Sequence, residues 1–147
     1  MTKFVSNLVA SFLGYLVTIF LAYFLIGILR RVGVPFIGGP FPIWVEILLW
    51  LHSLVAVGLF LFLGTKLNLL GNHLLDFLSV CGILVVGFFL TFYGSYLGIF
   101  VGLAFYRLGP FLARITDNHY FALSILSMLP SVLIWLGMVY QSRKAYN

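Results

Sequence analysis

The sequence predicts an all-α integral membrane protein, a four-transmembrane-helix bundle with short loops. Three observations lead there: the composition, four long apolar runs, and the helix-breaking residues between them. Of the 147 residues 63% are hydrophobic and 7% are charged, with a mean hydropathy of +1.19. Soluble domains average roughly 45–50% apolar and about 25% charged. A water-soluble fold of this length has too much surface for its volume to hide so many apolar side chains, so the expected solvent is lipid. The length fits one domain, residues 1–147.

The first run extends from about Phe4 to Leu29, the second from Ile43 to Gly64, the third from Leu74 to Tyr106 and the fourth from Tyr120 to Tyr140. A spanning helix needs roughly 20 residues, and each run reaches that. The first and third exceed it and are expected to tilt, kink or extend past the hydrocarbon. The first is longer than the apolar part of a signal peptide and lacks a small-residue cleavage pattern after it, so it is expected to remain as a helix.

The breaks are sharp. Between the first two runs, residues 30–42 carry Pro35, Pro40 and Pro42 with Gly33, Gly38 and Gly39, which rules out a continuous helix. Lys66 to His73 separates the second and third runs. Arg107 to His119 separates the third and fourth, with Gly109-Pro110 as a stop and Thr116, Asp117 and Asn118 as N-cap candidates. Trp44, Trp50, Tyr106, Tyr120 and Tyr140 fall near the expected boundaries, as interfacial aromatics do. Gln141 to Asn147 reads as a tail carrying Arg143 and Lys144.

Eight Lys/Arg against three Asp/Glu give a formal charge of +5. The basic residues stand singly or in pairs at the ends of apolar runs, where lipid phosphates lie. They form no stripe or stacking platform for nucleic acid. Four spans place Lys3, Lys66, Arg143 and Lys144 on one side and Arg30, Arg31, Arg107 and Arg114 on the other. The positive-inside rule gives no answer for such a tie. Either a partner or a detail of translocation fixes the orientation, or copies insert both ways and pair antiparallel.

The third run holds Gly94, Gly98 and Gly102, each four apart, and the first holds the small residues Ser6, Ala10, Gly14, Thr18 and Ala22 at the same interval. In lipid, helices associate through close backbone contact, which small residues permit. These stripes are expected to pack on each other or on a second protomer.

Intramembrane polar residues are the remaining candidates. Glu46, about one turn into the second run, is either a deep carboxyl or an interfacial charge favoured by the helix dipole. His52 is off the Glu46 face and lacks ligand company, so it reads as a hydrogen-bonded packing residue. Asp76 reads as a first-turn charge with Lys66 in reach, and Asp117 as its counterpart in the fourth run. Ser124, Ser127 and Ser131 form a polar line with Tyr120. Pro130 interrupts that helix and frees a carbonyl near Leu126, which the serines can satisfy or which opens a solvated face. Cys81, the one cysteine, reads as a packing residue.

No catalytic, metal or cofactor motif is present, and three acids with three histidines could staff few acid–base schemes. The expected function is therefore non-enzymatic and without cofactor: a subunit or accessory factor of a larger membrane assembly, acting by helix–helix packing. The alternative is a homo-oligomeric channel or small-solute transporter, with dual topology as one form. A third class is a lytic or toxin-immunity protein. The expected partners are the lipid bilayer and either other membrane subunits or further copies, with no nucleic acid. The expected location is a prokaryotic cytoplasmic membrane.

Overall fold

The computed structural model describes residues 1–34, 42–82 and 114–146. Among them every regular element is a helix and there is no strand. The four long or capped helices are α1 (Thr2–Arg31), α2 (Ile43–Gly64), α3 (His73–Val80) and α4 (His119–Tyr146). Two of them, α1 and α2, are long and apolar enough to cross a membrane.

α1 runs for 30 residues, a turn or less beyond the expected span, because no glycine–proline break arrives before Gly33. Its end is closed by a glycine at φ 79°, a conformation that costs glycine little. There the Gly33 N–H donates to Arg30 O (3.0 Å) and the Val34 N–H to Leu29 O (3.1 Å). That pair of bonds is the Schellman motif, and its usual apolar contact is present as buried Val34 packed with Leu29. Arg30 and Arg31 in the last turn oppose the partial negative charge of the helix end.

α2 starts immediately after Pro42 and has Glu46 in its first turn, where a carboxylate is favoured. Its bounds coincide with the second apolar run. α3 starts with Asn72, whose Oδ1 accepts from the Leu74 N–H at 2.9 Å, an N-cap. The third run from residue 83 onward, and with it Gly94, Gly98 and Gly102, lies outside the described residues.

α4 begins behind Asn118, whose Oδ1 accepts from the Phe121 N–H at 3.1 Å. Of the N-cap candidates, Asn118 is the one that caps; Asp117 takes φ 48° just before it. The expected tail is helical as far as Tyr146. Residues 141–146 contain no glycine or proline, and Arg143 and Lys144 suit a helix C-terminus.

Among the described pairs, α2 and α4 share the most extensive contact. Its closest point is Gly64 against Gly137. A Cβ added to Gly64 would lie 2.9 Å from Gly137 Cα and overlap Ile134 O; one added to Gly137 would overlap Leu61 O. The two backbones touch there, which only glycine allows. One buried cluster joins Tyr15, Ala56, Phe60, Leu67, Val80 and Ile134 across all four helices. A second joins Ala22, Ile26 and Leu29 of α1 to Val45 and Leu49 of α2.

The start of α1, the end of α2, the start of α3 and the end of α4 gather at one end. Asn7 bonds to Asn68 and Ser79, and Trp135 Nε1 donates to His73 O at 3.1 Å. Phe77 meets the Trp135 ring edge-on, centroids 5.8 Å apart.

Candidate functional site

α1 turns polar residues inward. Its buried positions are Asn7, Ser11, Tyr15, Thr18, Ala22, Ile26 and Leu29, one stripe at helical spacing. Asn7 is 0% exposed, whereas Phe20 and Phe24 on the outer side are 69% and 62% exposed. The same holds for α2, where Val45, Leu49, Ser53, Ala56, Phe60 and Gly64 face inward while Ile47, Leu51, Leu54 and Phe62 face outward.

Asn7 is the centre of a buried polar cluster that sequence reading missed. Its Nδ2 donates to Asn68 O (2.8 Å) and to Ser79 Oγ (3.2 Å), and its Oδ1 accepts from the Asn68 N–H (3.0 Å). Ser79 Oγ donates onward to Asp76 O at 2.7 Å. One amide thus ties α1 to the α2–α3 loop and to α3. The available signal was an asparagine in an otherwise apolar run, since an amide buried in apolar surroundings must find partners.

Asp76 lies beside this cluster and is 3% exposed. Its Oδ1 accepts from the Leu70 N–H at 2.8 Å, so it holds the α2–α3 loop as well as facing the α3 dipole. Lys66, which the sequence put within reach of Asp76, places its ammonium 5.3 Å from the Phe62 ring centroid.

A half-open cleft of about 700 Å³ adjoins Asp76. Leu69, Gly71 and Asn72 of the loop form one wall, His73 and Asp76 of α3 another, and Ser142 and Arg143 of α4 the third. Ser142 is buried and Arg143 exposed. A buried acid and an exposed cation thus both line the cleft. It lies at the end that also carries Lys3 and Lys144.

The remaining sequence candidates are dispersed. In the small-residue stripe Ser6 is exposed, Ala10 and Gly14 are half-buried, and Thr18 and Ala22 are buried. The inward face is offset from a strict four-residue repeat because an α-helix turns every 3.6 residues. Gly14 does meet α2: a Cβ there would lie 2.5 Å from Leu63 Cδ2. Thr18 Oγ1 donates to Tyr15 O at 2.7 Å. Glu46 and His52 are both half-buried and belong to the opposite end and the middle of α2, away from the cleft. Ser131 is buried and its Oγ donates to Val80 O, the last residue of α3, at 3.1 Å. That bond leads to a neighbouring helix rather than to the carbonyl released by Pro130, which is itself fully buried. The side chains of Ser124 and Ser127 lie outside the described residues. Among the described residues no group of three or more His, Cys, Asp and Glu comes together.

No known protein family, no curated protein and no solved structure matches this chain.

Proposed function

We propose that the chain is an integral membrane protein, a four-helix bundle that serves without catalysis as a subunit or accessory factor of a larger membrane assembly. The observation that carries the membrane reading is the inverted polarity of α1. Asn7, Ser11 and Thr18 are buried while Val9, Leu13, Val17, Phe20 and Phe24 are exposed. In water this arrangement would hide what solvates well and expose what does not. In hydrocarbon it is the favourable one, since polar groups must be satisfied inside. The subunit reading draws support from the outer faces of α1 and α2, where Gly27 and Gly58 have no described atom within 4 Å of an added Cβ. Gly58 is exposed and Gly27 half-buried, and small residues at such positions let a neighbouring helix approach.

Gly58→Leu tests the subunit reading because the chain itself has room for the side chain. The expected result is a normally folded protein that recovers less of its partners on mild detergent purification, with mass identification of what comes along. Unchanged recovery of partners, or the absence of any, counts against a subunit.

A second reading, a homo-oligomeric channel or small-solute transporter, is favoured by one feature. Ser11 Oγ and Tyr15 OH are buried on the inward face of α1 with no hydrogen-bond partner among the described residues. Unpaired hydroxyls at such a position are costly unless something polar visits them. Purified protein in liposomes would then carry a flux that Ser11→Ala alters, and liposomes that stay tight under varied gradients would exclude it.

A further inference from the structure

The fold collects basic side chains at one end and leaves them without an exposed acid among the described residues. Lys3 lies a turn before Asn7, and Lys66 two residues before Asn68, to which the Asn7 amide bonds. Arg143 shares the cleft with Leu69, Gly71 and Asn72 of the α2–α3 loop, and Lys144 follows it. All four cations are exposed. The acid at that end, Asp76, is 3% exposed, and its Oδ1 accepts from the Leu70 N–H. At the opposite end, exposed Arg30, Arg31 and Arg114 are accompanied by exposed Asp117 and half-buried Glu46. The two ends, tied in Lys and Arg by the sequence, thus differ in exposed acid.

These cations stand at the rim of an apolar belt. Near this end each helix carries an exposed apolar or aromatic side chain: Val5 on α1, Phe62 on α2, Leu75 on α3 and Tyr140 on α4. Lys66 shows the junction directly, since the ring 5.3 Å from its ammonium belongs to exposed Phe62. Half-buried Trp135, whose Nε1 donates to His73 O, stands at the same level, as an amphipathic ring does where hydrocarbon meets headgroups. An acidic protein segment would match the cations alone. An anionic lipid matches both features, with a phosphate for the cations and acyl chains for the belt below them.

We propose that this end is a docking surface for anionic phospholipid headgroups, with Lys3, Lys66, Arg143 and Lys144 on the phosphates and the outer apolar faces of the helices on the acyl chains. Clusters of Lys and Arg beside a spanning segment draw anionic lipid, and the buried Asp76 presents no exposed carboxylate to repel it. The inference rests on the membrane reading of the chain.

Trp135 makes the test specific to this end. Trp44→Phe and Trp50→Phe leave it as the one tryptophan of the chain. The protein is placed in phosphatidylcholine bilayers containing either phosphatidylglycerol or phosphatidylcholine brominated high on the acyl chain, and quenching of Trp135 is measured. At low salt the brominated glycerol lipid is expected to quench as though enriched about fivefold over the choline lipid, and molar salt should remove most of that preference. Replacing the four cations together (Lys3→Gln, Lys66→Gln, Arg143→Gln and Lys144→Gln), all at exposed positions, should bring the two lipids to parity. Arg30→Gln with Arg31→Gln, at the other end, should leave the preference unchanged. Equal quenching by the two lipids in the chain with all its cations overturns the proposal, as does a preference that survives the fourfold replacement or is lost equally on replacing Arg30 and Arg31. An acidic protein released from this end by salt, together with equal quenching, would assign the surface to that protein instead. Equal quenching by both lipids refutes the headgroup surface alone. A chain that neither floats with liposomes nor is quenched by either lipid refutes the membrane reading with it.

Discussion

Asn7 shows how one side chain can organise an apolar molecule. An amide on a buried helix face is unfavourable unless all its groups are used. Asn7 uses both its nitrogen and its oxygen, on Asn68 and Ser79. Asn7→Leu is close in volume but leaves the backbone N–H and C=O of Asn68 and the Ser79 hydroxyl short of a partner. The expected loss is about 1–3 kcal/mol, read from the midpoint of reversible unfolding in mixed detergent–denaturant micelles. An unchanged midpoint would mean that the cluster contributes nothing to stability. Ser6→Leu, one residue away on the exposed side, should be within about 0.5 kcal/mol of the unaltered chain. The contrast also shows where sequence reading stopped. Small residues at four-residue intervals pointed to a contact face on α1, and Thr18 and Ala22 are on it. Ser6 is off it, because a strict repeat of four drifts around the axis. Asn7 defines the face better, since in lipid polarity marks the interior more strongly than size does.

At the scale of elements, local punctuation was legible and long-range register was not. Pro42 and the polar residues after Gly64 bracket α2, and its observed bounds agree with the sequence. Arg31 and Gly33 mark the end of α1. Asn118 could be named among three neighbours as a cap, but which one's oxygen accepts from the first-turn N–H depends on the turn that Asp117 takes. The helical continuation of α4 through Gln141 to Tyr146 was read as a tail because hydropathy falls there, although helix propensity does not. The contact of Gly64 with Gly137 could not be read at all. Neither glycine belongs to a repeated motif, and their meeting follows from how α2 and α4 cross. It predicts a sharp asymmetry. Gly137→Leu forces a side chain into the α2 backbone and should cost more than about 3 kcal/mol or abolish the monodisperse species in detergent chromatography. Gly58→Leu on the outer side of α2 should leave the chain folded and monodisperse after its partners are stripped. Similar profiles for both would show that α2 and α4 are not in backbone contact. Ser131 makes a separate tie, because its hydroxyl joins α4 to the end of α3.

For the whole molecule, the decisive property is which solvent meets the outer faces. Composition alone indicated lipid, and α1 and α2 supply the spatial form of that argument through exposed Phe20, Phe24, Leu54 and Phe62. Polarity concentrates inside and at the end that holds the Asp76 cleft. The sequence could not reveal that cleft, because its walls come from positions about 70 residues apart, brought together by the return of α4. Nor could it show that Asp76, read as an ordinary first-turn acid, is buried between the α2–α3 loop and α3. The most direct test of the account is a nitroxide scan along α1 from Leu8 to Ile28 in liposomes, measuring collisions with oxygen and with a water-soluble nickel complex. The account predicts high oxygen and low nickel accessibility at Val9, Leu13, Phe20 and Phe24, with oxygen minima at Ser11, Tyr15, Thr18 and Ala22. High nickel accessibility at Phe20 and Phe24 would place that face in water and contradict it.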